Sequence, residues 1–305
     1  MEELIVFGHK SPDTDTICSS IVMADLQTKI RGEKVVPCRL GEVNEETKFA
    51  LKKFNVEEPK LIEKVKEGQR VILVDHNEFS QSVEGIENAK IEAVVDHHRI
   101  NNFETAEPLF YYAQPVGCTS TILFELYKAN NIEIPAQMAG LMLSAIISDT
   151  LLLKSPTTTE KDKKALAELA KIADIDVNIY GLDMLKAGTN LDKYTEDELI
   201  RLDAKKIEKE DIKYVIAQVN TVSIPDVLKR KAKIEQEINK EILAKGLSLF
   251  VFVITDIVNS NSEAIVLGDR VDAISKAYEV NDNIAVMPGV VSRKKQVLPL
   301  VEKNI

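Results

Sequence analysis

The chain has 305 residues, a formal net charge of −10, 45% hydrophobic residues and 29% charged residues. That length supports a full core and two domains, and the mixture is that of a globular protein rather than a disordered or fibrous one. The acidic balance argues against nonspecific nucleic-acid binding through a basic surface, and no apolar run approaches the ~20 residues of a membrane helix.

In chain order, Leu4–Phe7 is an apolar run that ends at Gly8-His9. Ile17, Ile21, Met23, Leu26 and Ile30 then recur near the helical period, with Gly32 just past the end. Residues 35–40 predict a strand and residues 45–54 a helix. Residues 71–74 are a continuous apolar run and 91–95 an apolar run broken only by Glu92, as strands buried on both faces should be. Residues 119–130 and 135–147 predict helices, with Pro135 suited to a first turn. Pro156 marks a break, and a helix resumes over Glu160–Ala173. This alternation predicts a parallel α/β sheet.

Residues 186–194, Lys-Ala-Gly-Thr-Asn-Leu-Asp-Lys-Tyr, predict a linker. Beyond it, a charged helix is expected over 196–208, a strand over 214–222 and a long helix over 225–243. Two apolar strands (247–257 and 264–267) and a final strand pair (284–291 and 296–301) follow, the last two bracketing Ser-Arg-Lys-Lys. Consecutive strands predict a smaller mixed-sheet α+β domain. The expected division is 1–188, a linker at 189–194, and 195–305. Cys18, Cys38 and Cys118 lie far apart with no Cys-x-x-Cys, which reads as reduced, buried thiols. Acids stand at the N-terminus where a signal peptide needs basic residues, so a cytoplasmic location is expected.

All four histidines fall in aspartate-rich clusters that follow predicted strands. His9, Asp13 and Asp15 follow the first strand, Asp75 and His76 follow 71–74, and Asp96, His97 and His98 follow 91–95. Ligands of an open parallel sheet bind outside the carboxyl ends of its strands, so neighbouring strands would make the clusters converge. Asp149 stands at the end of the apolar run 141–147. A carboxylate there would oppose a helix dipole unless a cation offset it. Carboxylates and imidazoles without thiolates suit manganese, cobalt, magnesium or zinc. So many carboxylates fit two ions ~3.5–4 Å apart better than one, and such a pair suits phosphoester or phosphoanhydride hydrolysis.

Each cluster alone also has a plain structural account. Asp15 or Thr16 would cap the first helix, and Thr119 would cap the helix that opens after Val116-Gly-Cys, whose amides could otherwise face an anion. Strand alternation points His76 away from Asp75, as a packing residue. Ser292-Arg-Lys-Lys-Gln reads as a solvated basic turn by itself and as a phosphate clamp beside a metal site. Lys205 carries no signal of its own. Three clusters that use every histidine tip the balance to a site.

Together these residues resemble the manganese-dependent (family II) inorganic pyrophosphatases of the DHH phosphoesterase superfamily. The resemblance rests on Gly8-His9-Lys10-Ser11-Pro12-Asp13-Thr14-Asp15, Val74-Asp75-His76-Asn77-Glu78, Asp96-His97-His98, Ser148-Asp149-Thr150 and Ser292-Arg293-Lys294-Lys295-Gln296. It covers essentially the whole chain and implies an N-terminal parallel-sheet DHH domain followed by a DHHA2-type domain. By that resemblance one metal is held by His9, Asp13 and Asp75, and the other by Asp15, Asp75, His97 and Asp149. His98 contacts substrate or leaving phosphate. Arg293, Lys294 and Lys205 bind pyrophosphate. Manganese or cobalt fills the two protein sites, magnesium accompanies the substrate, and a metal-bridging hydroxide is the nucleophile. A homodimer is implied. Superfamily nucleases usually carry a Gly-Gly-His element, and this chain has no Gly-Gly. An exopolyphosphatase and a metal-sensing regulator remain as rivals.

Overall fold

Residues 4–7 and 71–74, at the middle of the first sheet, are apolar at every position. Phe7, Ile72, Leu73 and Val94 are all fully buried, because the sheet is covered on both faces. The computed structural model of the chain describes residues 3–209 and 212–305. It has two compact units that meet in sequence at Gly188 and Thr189.

The first unit is a parallel sheet of six strands. These are β1 (Leu4–Phe7), β2 (Val35–Arg39), β3 (Lys60–Leu61), β4 (Arg70–Val74), β5 (Lys90–Asp96) and β6 (Phe110–Ala113). The spatial order is β3-β2-β1-β4-β5-β6. The chain starts in the middle, runs out to one edge, and returns to the other side of β1. Its helices are α1 (Thr14–Arg31), α2 (Glu45–Lys53), α3 (Thr119–Ala129), α4 (Ala136–Thr150), α5 (Glu160–Ala173) and α6 (Val177–Gly188).

The first helix begins three residues before the apolar period does. Asp13, not Asp15 or Thr16, is the cap: its carboxylate accepts the Thr16 amide at 2.9 Å. Gly32 closes the helix in the left-handed region, at φ 67°. Residues 14–24 are buried without interruption, because α3 and α4 pack against the helix. Gly8 lets β1 and α1 approach closely, since a Cβ there would stand 2.5 Å from Thr16 Cγ2. Helix α6 lies where no element is expected, and it runs into the first residues of the expected linker.

The second unit has a mixed sheet of six strands: β7 (Ala204–Lys209), β8 (Ile212–Thr221), β9 (Leu249–Asp256), β10 (Asn261–Leu267), β11 (Val280–Asn281) and β12 (Ile284–Met287). Their order is β11-β12-β10-β9-β8-β7, with β8 and β9 parallel and the other pairs antiparallel. The chain is therefore α/β overall. Among the described residues, no helix is long and apolar enough to cross a membrane.

Three expectations change here. The charged stretch 196–208 is not one helix. A capping box between Thr195 and Glu198 starts a single turn, α7 (Glu196–Leu199), and the chain then pairs as edge strand β7. Its lysines face solvent, as edge strands favour. The long helix divides into α8 (Ile224–Leu228) and α9 (Lys231–Lys245) around Arg230. That guanidinium ties back to Glu196 and to the carbonyls of Leu191 and Tyr194. A further short helix, α10 (Asp272–Ser275), packs beside the chain's last helix. Residues 296–301 are not a strand. A π-helical turn (Arg293–Val297) leads into that last helix, α11 (Leu298–Asn304). Val297 and Val301, four apart, bury one helical face against Ile216, Val251 and Met287 of the sheet.

Candidate metal centre

The strand order reverses between β1 and β4, and the carboxyl ends of these strands and of β5 carry the histidine–aspartate clusters. This is the crevice where an open α/β sheet binds ligands. Asp75 lies at its centre, fully buried and in the left-handed region at φ 59°. Its amide is held by the Val95 carbonyl at 3.0 Å, which ties the end of β4 to β5.

The two oxygens of Asp75 face different imidazoles. Oδ2 is 3.5 Å from His9 Nε2, and Oδ1 is 3.4 Å from His97 Nε2. Each oxygen also accepts a hydroxyl: Thr16 at 2.7 Å on Oδ2 and Thr119 at 3.1 Å on Oδ1. Both ligand-type histidines are oriented from behind. His9 Nδ1 donates to the Lys10 carbonyl at 2.7 Å, and His97 Nδ1 donates to the Val116 carbonyl at 3.0 Å. Each Nε2 is thereby left as the free ligand atom.

Around them the remaining acids close the set. Asp13 Oδ2 is 3.5 Å from His9 Nε2, and Asp149 Oδ2 is 3.9 Å from His97 Nε2. Ligand atoms of His9, Asp13 and Asp75 lie within 4.8 Å of one another, as do those of Asp15, His97 and Asp149, and those of Asp75, His97 and His98. His98 is the exposed member. Asp96 Oδ1 accepts both its amide (3.0 Å) and its Nδ1 (2.9 Å). Asn77 holds Asp96 in turn, donating to Oδ2 at 2.7 Å. His76 points elsewhere, between the Val74 carbonyl and the Ser82 hydroxyl, and burial pushes its imidazole down to about 4.

The electrostatics fit divalent cations. Among the described residues, no lysine or arginine pairs with Asp13, Asp15, Asp75 or Asp149. Burial and the neighbouring Asp15 push Asp75 up to about 7, and burial with Asp15 and Asp75 pushes Asp149 well above the ordinary carboxylate value. Burial opposes a charge on His9 and His97, but the surrounding aspartates outweigh it and raise both to about 9. The cluster thus retains protons for want of other positive charge, and hard donors held so close suit a metal ion that replaces them.

In the second unit, Arg293 and Lys294 line a cleft of about 300 Å³ with Asp203, Gln218 and Asn220. Gln218 accepts the Arg293 amide at 2.8 Å and donates to the Val291 carbonyl at 3.1 Å. The Arg293 guanidinium pairs with Asp203 at 2.8 Å, while its Nε–H is buried without a partner. Lys205 is exposed on β7 and stands in register with Ile216, whose carbonyl accepts Arg293 Nη1 at 3.4 Å. Cross-strand partners share a face, so Lys205 lies on the side of the sheet that the turn and α11 cover.

Residues 3–146 match the model of the DHH family N-terminal domain, and residues 182–304 match that of the DHHA2 domain. The manganese-dependent inorganic pyrophosphatase of Bacillus subtilis is 54% identical over 304 residues, covering 99% of this chain and 98% of that protein. A Brevibacillus brevis protein classed as a probable enzyme of the same kind is 55% identical, with the same coverage. This chain belongs to the manganese-dependent inorganic pyrophosphatase family. A crystal structure from Methanococcus jannaschii, assigned to the family II inorganic pyrophosphatases, superposes with a TM-score of 0.65 at 42% identity and covers 99% of both chains.

Within this pyrophosphatase-family chain, several supporting residues escape sequence reasoning. Asp15 accepts four hydrogen bonds: the Thr119 amide (2.6 Å), the Ser120 amide (3.2 Å), and the hydroxyls of Ser120 (3.0 Å) and Ser19 (2.7 Å). The start of α3 therefore does face an anion, and the anion is a carboxylate of the protein itself. Cys118 occupies the cap position, and Thr119 does not serve as cap. The signal was present in Val116-Gly-Cys-Thr-Ser-Thr, but its partner lies more than 100 residues away. Gly117 is required at that bend: its amide binds Asp162 Oδ2 at 2.9 Å, and a Cβ there would stand 2.8 Å from Thr150 Cγ2.

Proposed function

We propose that this chain hydrolyses inorganic pyrophosphate to two phosphates with a pair of divalent cations. The observation that carries this reading is Asp75, one carboxylate with its two oxygens toward two different imidazoles. His9, Asp13 and Asp75 would hold one cation, and Asp15, Asp75, His97 and Asp149 the other, manganese or cobalt in each case. Such cations activate water and offset charge on phosphoryl oxygens. Magnesium accompanies the substrate in this reading.

The protein's own part is positioning and proton supply. Asp96 accepts from His98 Nδ1 and raises the pKa of that imidazole, which suits it to donate toward the leaving phosphate. Arg293, Lys294 and Lys205 bind the phosphates, the arginine through its fork and the lysines as point charges. That Arg293 and Lys294 line one cleft supports this role. The division into a metal-binding domain (1–188), a linker (189–194) and a substrate-binding domain (195–305) belongs to the same reading, as do a homodimer and a cytoplasmic location. Nucleic acid and membrane are not partners in it.

Phosphate release from pyrophosphate, tripolyphosphate and a dinucleotide, with manganese and with chelator, tests the assignment. Faster cleavage of long polyphosphate would replace it with an exopolyphosphatase. Metal binding without turnover would replace it with a regulator. Arg293→Ala should lower kcat/KM by about 10–100-fold, the worth of one or more charge-assisted hydrogen bonds, while manganese affinity stays unchanged. Loss of manganese in that variant would contradict the assignment of Arg293 to the phosphates.

Proton release gives a second check. With His9 and His97 raised to about 9, both imidazoles are largely protonated at pH 7.5 in the metal-free protein. Ligation requires them neutral, so uptake should expel about two protons from the imidazoles, besides those held by Asp75 and Asp149, and affinity should fall as pH drops. Calorimetry in buffers of different ionisation enthalpy reads this directly. An enthalpy independent of buffer would show that the two imidazoles are already neutral in the metal-free protein.

A further inference from the structure

Glu46 is an acid that the ligand set leaves out. It lies in the first turn of α2, and its Oε1 accepts the Thr14 hydroxyl at 2.8 Å and also the Ser148 hydroxyl. Thr14 stands between Asp13 and Asp15, and Ser148 immediately precedes Asp149. One carboxylate oxygen therefore ties the start of α1 to the last turn of α4. Three of the six proposed ligands sit on those two segments. Thr14 is fully buried, with Thr47 of the same helix α2 3.0 Å from its hydroxyl. The last residue of α6 closes over the acid: a Cβ at Gly188 would stand 2.9 Å from both Glu46 Cβ and Oε2.

We propose that Glu46 is a positioning residue of the metal centre, acting through Thr14 and Ser148 to hold Asp13, Asp15 and Asp149 in mutual register. Its carboxylate is not in any of the groups that bring ligand atoms together, so it works by hydrogen bonding rather than by ligation. The inference rests on the reading of those aspartates as ligands. It adds that their spacing is set from α2, an element with no ligand of its own.

Manganese titration followed by electron paramagnetic resonance, on the full chain, provides the test. Glu46→Ala should weaken manganese binding by about 10–100-fold, the range for groups that orient ligands, whereas Glu46→Gln, which retains an acceptor oxygen, should stay within about threefold of the parent. Equal loss in both variants would mean that charge, not hydrogen bonding, matters, and would overturn the proposal, as would an unchanged Glu46→Ala. Thr14→Val and Ser148→Ala carry the same test if Glu46→Ala does not fold. Each should weaken binding severalfold, and Thr14→Ser should restore it. Unchanged binding in both Thr14→Val and Ser148→Ala would also overturn the proposal. A parent protein that binds no manganese, or an Asp75→Asn variant that binds as well as the parent, would remove the ligand reading itself.

Discussion

Asp75→Asn should lose turnover by about 10³-fold or more, because on the proposed two-cation reading this carboxylate is shared by both ions and supports several kcal/mol of transition-state stabilisation. The variant should still fold. Asparagine tolerates the left-handed conformation that Asp75 adopts, at φ 59°. It also retains one acceptor for the Thr16 or Thr119 hydroxyl. The metal-free variant should in fact be more heat-stable than the metal-free parent at pH 8. Burial and Asp15 raise Asp75 from 3.8 to about 7 in the folded chain. A raised carboxyl favours folding while protonated, and that contribution is lost as pH climbs from about 4 through 7. At pH 8 the parent therefore carries an unfavourable buried charge that the amide lacks. Melting curves in chelator at pH 5 and pH 8 read this out. A variant that melts below the parent at pH 8 would show that Asp75 is not under electrostatic strain.

Withdrawal of metal should be the other large effect. Chelation should abolish pyrophosphate hydrolysis, and added manganese should restore it. Manganese at about 1,000 times its dissociation constant should stabilise the folded state by about 4 kcal/mol, roughly 10 °C for a unit of this size. The gain should belong to the first unit, since every cluster of potential ligand atoms found among the described residues lies there. Full activity after thorough stripping would sink the two-cation account.

Much of the first unit is legible in the sequence for a simple reason. Strands buried on both faces, such as 71–74, must be apolar throughout, and polar side chains must then begin where the strand ends, at Asp75. Local rules fail where partners are remote. Ser19, Thr119 and Ser120 look like ordinary helix residues until folding brings Asp15 between them. In the second unit the failures are of period. Lys205-Lys-Ile-Glu-Lys suits a helix by composition, and pairing with β8 decides against it. Val297 and Val301 suit a strand by residue type, and their four-residue spacing against the sheet decides for a helix.

The tethering of the two central carboxylates also bears on ionic radius. Both oxygens of Asp15 and both of Asp75 are fixed by hydroxyl or amide donors. Such groups cannot slide between one-oxygen and two-oxygen binding to follow a larger ion. Calcium prefers six to eight oxygens at about 2.3–2.6 Å and relies on that freedom. On the ligand reading, such a cage would disfavour calcium against smaller divalent ions, and that preference would begin with the threonines and serines that hold its walls.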